Sequence, residues 1–162
     1  MKIKELMIQE VLTFSESETL ESAARKMTEQ RISGGPVIDE NMNLIGILSE
    51  TDILKHMKVL VDDEVGMRYL SDTTHSLSLF VMLAERDHEV RDAVLKRLRE
   101  TLVKMAMTTN VIMAKPNDTI ESVAALMIKH NVNRVPIVDG EKLIGIVTKS
   151  DFARLIATGQ PH

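Results

Sequence analysis

The sequence predicts a mixed α/β (α+β) fold in which two copies of a β-α-β-β-α unit pack pseudo-symmetrically, with a helical insert between them. Three observations predict it. The chain repeats itself, each repeat alternates strand-like and helix-like apolar spacing, and a unit of roughly 55 residues is too small to bury a good core alone. The predicted boundaries are 1–57 for the first copy, 58–100 for the insert and 101–162 for the second copy.

The repeat is visible as identical residues in the two copies. At an offset of 100, the recurring residues include Pro36 and Asp39, which return as Pro136 and Asp139. After one extra residue in the first copy the offset becomes 99, and the run Leu-Ile-Gly-Ile at 44–47 returns at 143–146. Because a repeat determines architecture before any local pattern does, the two copies are expected to fold alike.

The first strand and first helix of each copy have their own signals. Residues 11–14 and 111–114 are short apolar runs suited to strands. Thr19 and Thr119 stand just before segments with helical apolar spacing, where a helix N-cap is favoured. The predicted apolar faces are Leu20, Ala23, Ala24 and Met27 in the first copy, and Ile120, Val123, Ala124 and Met127 in the second.

A hairpin and a second helix complete each copy. Proline-containing strands at 35–39 and 135–139 are followed by polar turns at 41–43 and 140–142. These turns predict hairpins with the next apolar runs, 44–48 and 143–147. The final helices are predicted to begin near Asp52 and Asp151.

Composition argues against several classes of function. A net charge of −4 gives no general attraction to nucleic acid or anionic membranes. Without cysteine there is no disulfide, thiolate metal site or cysteine nucleophile, and no apolar run approaches the roughly 20 residues of a membrane span. The N-terminus lacks the apolar run of a secretory signal, so a cytoplasmic protein is expected.

Catalytic and metal-binding motifs are also missing from the sequence. The histidines have no i, i+3 or i, i+4 spacing that would support zinc, and no nucleophile elbow, phosphate-binding loop or GxGxxG pattern occurs. We therefore expect no enzyme, no metal site and no required cofactor.

The strand-to-helix junctions carry the candidate functional residues. Their sequences are Gly-Ile-Leu-Ser-Glu-Thr-Asp at 46–52 and Gly-Ile-Val-Thr-Lys-Ser-Asp at 145–151. A hydroxyl and a carboxylate three residues apart at a helix start suit a phosphate and a ribose diol. The same residues also suit ordinary helix capping, so both interpretations are open at this point.

Two such junctions, each after a proline-containing strand and an amphipathic helix, resemble the CBS-domain family, whose tandem pairs are called Bateman modules. The resemblance covers both copies and implies an adenine-containing ligand (AMP, ADP, ATP, S-adenosylmethionine or NAD) in clefts built crosswise from the two copies. One cleft would comprise Thr148, Lys149, Ser150 and Asp151 with Leu12, Thr13, Ile32, Ser33 and Pro36. The other would comprise Ser49 and Asp52 with Ile112, Met113, Val132, Asn133 and Arg134.

The two clefts are expected to be unequal. Glu50 stands where the second copy has Lys149, and a carboxylate beside a phosphate is unfavourable. Gly35 precedes Pro36 and would let a ligand approach the backbone closely. Both features favour the Asp151 cleft, although the resemblance places a phosphate-binding Arg134 in the Asp52 cleft.

Two functions are open from sequence alone: a ligand sensor whose state a protein partner reads, and a structural dimerisation module with no nucleotide. A homodimer is expected in either case. In the insert, one helical stripe and an apolar patch at 77–83 predict either an arm that folds back on its own repeats or an interface with another chain. The stripe comprises Val90, Val94, Leu95, Leu98, Leu102 and Met105.

Overall fold

The structure, a computed structural model, describes residues 1–58 and 88–160. After a 3₁₀ helix at Ile3–Glu5, the first copy contains β1 (Phe14–Ser15), α1 (Leu20–Gln30), β2 (Gly34–Ile38), β3 (Leu44–Ser49) and α2 (Glu50–Lys58). The insert ends in α3 (His88–Glu100). The second copy contains α4 (Val103–Ala106), α5 (Ile120–Lys129), β4 (Arg134–Asp139), β5 (Lys142–Thr148) and α6 (Lys149–Thr158). The mixed α/β class predicted from the repeat is confirmed.

The hairpins lie where the turn residues predicted them. β4 and β5 are antiparallel, with Arg134 opposite Thr148 and Asp139 opposite Lys142. In the first copy the sheet order is β1-β2-β3. Because β5 ends at Thr148 and α6 begins at the next residue, the hairpin delivers its hydroxyl directly to a helix N-terminus.

The predicted first strands are much shorter than expected. The first strand of the first copy consists of Phe14 and Ser15 alone, and at the equivalent place in the second copy Ala114 makes a single parallel bridge to Ile137. The N–H of Val11 donates to the carbonyl of Gln9, 3.0 Å away, and that of Val111 donates to Thr109. These donors are therefore used in local turns and do not extend a ladder.

Both predicted N-caps of the first helices are confirmed. The hydroxyl oxygens of Thr19 and Thr119 accept hydrogen bonds from the backbone N–H groups of Ser22 and Ser122, each at 3.2 Å. In α1 the whole predicted apolar face is buried. In α5, Val123 and Met127 are buried and Ile120 and Ala124 are partly exposed.

The chain divides into two compact units, and each contains segments of both copies. Unit 1 comprises residues 1–13, 35–46 and 109–162, and unit 2 comprises residues 14–34 and 47–108. In unit 1 the structure describes the chain up to residue 160, and in unit 2 it describes the chain up to residue 58 and again from residue 88. The compact units therefore do not follow the boundaries of the repeat.

In unit 1, the beginning of the first copy completes the core of the second. Ile3 and Leu6 are fully buried in a cluster with residues of the second copy such as Val123 and Val147. Ile8 and Ile146 exchange backbone hydrogen bonds of 2.9 and 3.0 Å. The first residues of the chain thus serve as part of the neighbouring repeat.

Unit 2 contains the reciprocal arrangement. The residues equivalent to Ile8 and Ile146 are Thr108 and Ile47, which exchange two backbone hydrogen bonds of 2.9 Å. Val103, equivalent to Ile3, is fully buried. The start of the second copy therefore lies against the first copy in the same way.

For residues 88–100, the insert folds back onto its own chain. α3 packs against α1, Val94 and Leu98 are buried, and Arg99 donates to Glu21 at 3.1 Å.

The predicted stripe is wrong beyond residue 100: α3 ends there, Leu102 takes an extended conformation, and Met105 is 61% exposed. The patch at 77–83 lies outside the described residues. Among the described helices, none is both long enough and apolar enough to cross a bilayer.

Candidate functional site

The junction at 148–151 in unit 1, here called the Asp151 junction, is organised around one buried carboxylate. Asp151 lies in the first turn of α6 and is 3% exposed. Its Oδ2 accepts hydrogen bonds from the backbone N–H and the hydroxyl of Thr148, both at 2.7 Å. This reciprocal capping box forms because Thr148 is the N-cap and Asp151 stands three residues later.

Arg154 occupies the other oxygen of the same carboxylate. It lies three residues after Asp151 on α6, and its Nη2 donates to Oδ1 of Asp151 in an ion pair. The side chain of Asp151 is 4% exposed, whereas that of Arg154 is 46% exposed. One partner of the ion pair is therefore held by its surroundings and the other reaches solvent.

Two further cations belong to the Asp151 junction. Arg134 lies opposite Thr148 in the β4–β5 ladder, and the backbone N–H of Lys149 donates to the carbonyl of Asn133 at 3.1 Å. Unit 1 thus brings together Asn133, Arg134, Thr148, Lys149 and Asp151. Arg134 is thus the ladder partner of Thr148, a proximity that sequence reasoning missed although the hairpin register could have shown it.

The equivalent junction in unit 2, the Asp52 junction, has the same cap with different surroundings. The backbone N–H of Ser49 donates to Asp52 Oδ2 at 2.9 Å, and the Ser49 hydroxyl donates to the same oxygen. The Thr108 hydroxyl makes a longer contact of 3.4 Å to Oδ1 of Asp52. No local pattern predicts Thr108, because 56 residues separate it from Asp52.

Of three equivalent positions around the two junctions, two differ in charge and the third is a cation in both. Glu50, Gly34 and Lys55 in the first copy correspond to Lys149, Arg134 and Arg154 in the second. The Glu50 N–H donates to the Ser33 carbonyl at 3.0 Å, just as that of Lys149 donates to Asn133. The backbone geometry is therefore shared, and the second copy carries the greater positive charge.

The glycine of the second junction is explained by packing. A Cβ atom at Gly145 would lie 2.5 Å from Sδ of Met7, 2.9 Å from its Cγ and 3.2 Å from the carbonyl oxygen of Ile8. The start of the chain therefore occupies the space that a larger side chain would need.

The remaining predicted site residues are distributed over both units. Leu12, Thr13, Pro36, Ile112, Met113 and Val132 belong to unit 1, as does exposed Ser150, and Ile32 and Ser33 belong to unit 2. Met113 lines a pocket of about 340 Å³ together with hairpin residues such as Asp39, Val138 and Glu141. The crosswise assignment of these residues to two clefts stays a prediction.

Comparison with known proteins agrees with the repeat and the fold. The CBS domain matches residues 3–59 and 102–158, which together make up most of the chain. The chain belongs to the CBS-domain family. It is 35% identical over 153 residues to the uncharacterized protein MJ1426 of Methanocaldococcus jannaschii, covering 94% of this chain and 89% of that protein. It is 26% identical to the CBS domain-containing protein YhcV of Bacillus subtilis, covering 93% and 82%.

Solved CBS structures have the same fold. The CBS domain of a membrane protein from Sphaerobacter thermophilus superimposes with a TM-score of 0.71 at 28% identity, covering 95% of this chain and 86% of that one. CBSX2 in complex with AMP gives 0.68 at 21% identity, covering 96% of each chain. The CBS pair of MJ0100 in complex with 5-methylthioadenosine and S-adenosyl-L-methionine gives 0.65 at 22%, covering 99% and 98%.

Proposed function

We propose that this CBS pair is a regulatory module that binds an adenine nucleotide or another adenosyl compound at the Asp151 junction and performs no chemistry on it. The observation that carries the proposal is the buried Asp151 carboxylate at the start of α6, with Arg134, Lys149 and Arg154 on neighbouring positions. A fixed carboxylate suits the ribose hydroxyls, and cations at a helix N-terminus suit a phosphate.

The ligands of related structures support the same class of compound. CBSX2 was solved with AMP, and MJ0100 with 5-methylthioadenosine and S-adenosyl-L-methionine. All three contain adenosine, so the shared chemistry is adenine and ribose, while the phosphate is optional. For this chain we propose AMP, ADP or ATP as the first candidates, because the Asp151 junction is rich in positive charge.

Regulation requires that the ligand prefer one conformation of the module over another. We propose that binding shifts this balance, and that a protein partner reads the change. We also propose that the module acts as a homodimer.

The competing function is a structural dimerisation module without a nucleotide. One observation favours it: the hydroxyl and carboxylate of each junction already satisfy each other as a helix cap. Capping alone accounts for the local sequence at both junctions, so binding must be measured directly.

The test is calorimetric titration with AMP, ADP, ATP, S-adenosylmethionine and NAD, on the natural chain and on two matched variants. Asp151→Ala removes a charged acceptor from the ribose, and we expect its affinity to fall about tenfold to a hundredfold. We expect Asp52→Ala to reduce affinity less, because Glu50 stands beside its junction.

Each variant also loses a helix cap, so thermal unfolding of both must be compared with that of the natural chain. Binding that survives in Asp151→Ala and disappears in folded Asp52→Ala contradicts the preference for the Asp151 junction. If the natural chain binds none of the compounds at millimolar concentration, the structural module is the better description.

A further inference from the structure

We infer that Arg154 is a specificity-determining residue of the Asp151 junction. In the absence of ligand Arg154 pairs with the Asp151 carboxylate. When a ribose binds that carboxylate, Arg154 moves away from it and pairs with the phosphate of the ligand. The inference rests on the proposed function and deepens it. It concerns which adenosyl compounds the junction prefers.

The first step is the competition for one atom. Thr148 donates its N–H and hydroxyl to Oδ2 of Asp151, whereas the guanidinium of Arg154 donates to Oδ1. Thr148 is tied to its oxygen by the cap that starts α6, so a ribose hydroxyl that approaches Oδ1 meets the guanidinium of Arg154 there.

The second step is the mobility of the competitor. The Arg154 side chain is 46% exposed, so water can replace Asp151 as a hydrogen-bonding partner of its guanidinium. Its guanidinium can therefore leave Oδ1 by rotation of its own side chain, which reaches solvent. Asp151, at 4% side-chain exposure, stays in place.

The third step is what the released guanidinium does. Arg154 lies in the second turn of α6, Lys149 begins that helix, and Arg134 is the ladder partner of Thr148. A ligand with a phosphate offers the arginine a new anionic partner, whereas adenosine offers none. The exchange therefore weakens binding of neutral adenosine compounds and leaves phosphorylated ones favoured.

The first copy provides a matched comparison within the same chain. Lys55 occupies the position of Arg154, and its side chain is exposed. There the Oδ1 atom of Asp52 instead accepts a hydrogen bond from the hydroxyl of Thr108. Lys55→Ala is therefore the control for losing a cation at the same place on the equivalent helix.

The experiment is calorimetric titration of the natural chain, Arg154→Ala and Lys55→Ala with adenosine and with AMP. We expect Arg154→Ala to bind adenosine about two- to fivefold more tightly, because the competing ion pair is gone. We expect the ratio of AMP affinity to adenosine affinity to fall about tenfold. Lys55→Ala should leave both quantities within about twofold of the natural chain.

Loss of a partner for buried Asp151 can lower stability, so thermal unfolding is measured for each variant. Arg154→Gln, which keeps a shorter, uncharged hydrogen-bond donor, replaces Arg154→Ala if the latter does not fold. If adenosine affinity does not rise, or the ratio changes as in Lys55→Ala, this inference is wrong while the proposed function stands. If the natural chain binds neither compound, both are wrong.

Discussion

Thr148 and Asp151 form a helix cap that is compatible with the proposed binding of a ribose. The cap fixes the Asp151 carboxylate through two hydrogen bonds of 2.7 Å and keeps it buried. A carboxylate already held in one orientation loses little freedom when a ligand arrives. The capping and binding interpretations of the sequence are therefore compatible, and affinity measurements decide whether the second applies.

Gly145 gives a stability prediction at the scale of single atoms. In Gly145→Ala the new methyl group meets Met7 and the carbonyl of Ile8, so the free energy of unfolding should fall by about 1–3 kcal/mol. Urea denaturation measures this. In a Met7→Ala background the penalty should be smaller, because the nearest clashing atoms are gone. An equal penalty in both backgrounds would show that the contact with Met7 is not its cause.

Asp39 gives a pH-dependent prediction in the first hairpin. The backbone N–H of Asn43 donates to its carboxylate, with further hydrogen bonds from the Asn43 side chain and the Asn41 N–H, and these lower the pKa of Asp39 below the ordinary value of 3.8. A lowered folded-state pKa stabilises the fold above the unfolded pKa, and this stabilisation is lost as pH falls through the folded pKa.

The measurement is a carboxyl NMR titration of Asp39. Asn43→Ala removes the side-chain donor and keeps the backbone one, so the pKa should rise part of the way toward 3.8. The variant should be destabilised at neutral pH and should match the natural chain at a pH below the folded pKa. A pKa at or above 3.8 in the natural chain would contradict the proposed hydrogen-bonding effect.

At the scale of elements, the sequence predicted features that a local pattern determines. The caps at Thr19 and Thr119 and the two hairpins depend on residues a few positions apart, so their signals lie in short windows. The predicted first strands were too long because the N–H groups of Val11 and Val111 donate to carbonyls two residues earlier in the chain. The hydrogen bond between Thr108 and Asp52 joins distant residues and has no signal in a short window.

The exchanged N-terminal segment leads to a prediction for Ile3. Although it belongs to the first copy in sequence, Ile3 is fully buried in a cluster with Val123 and Val147 of the second copy. Ile3→Ala should therefore lower the free energy of unfolding by about 2–5 kcal/mol and reduce hydrogen-exchange protection in α5. Lys4→Ala, an exposed neighbour, should change it by less than about 0.5 kcal/mol. Equal effects of the two substitutions would contradict this role for the segment.

At the scale of the whole molecule, the two copies are equivalent in backbone and different in charge. The reciprocal pairings of Ile8 with Ile146 and of Thr108 with Ile47 show that the repeat predicted the architecture well. The sequence also identified both junctions, because their spacing is local. It could not predict how segments of the two copies combine into units 1 and 2, since that depends on contacts between distant residues.

The oligomeric state is the last prediction. In unit 2, α1 is covered by α3, whereas in unit 1 α5 and α6 leave Ile128 and Ile156 exposed at 80% and 85%. Exposed apolar side chains of this size favour association, so we expect a homodimer with twice the 18.2 kDa mass of one chain. Light scattering at tens of micromolar, a range suited to an interface of standard size, measures it. Ile156→Glu should shift the protein toward monomer, whereas Met105→Glu, exposed on α4, should not. A monomeric natural chain would contradict the homodimer, and an Ile156→Glu variant that stays dimeric would place its interface elsewhere.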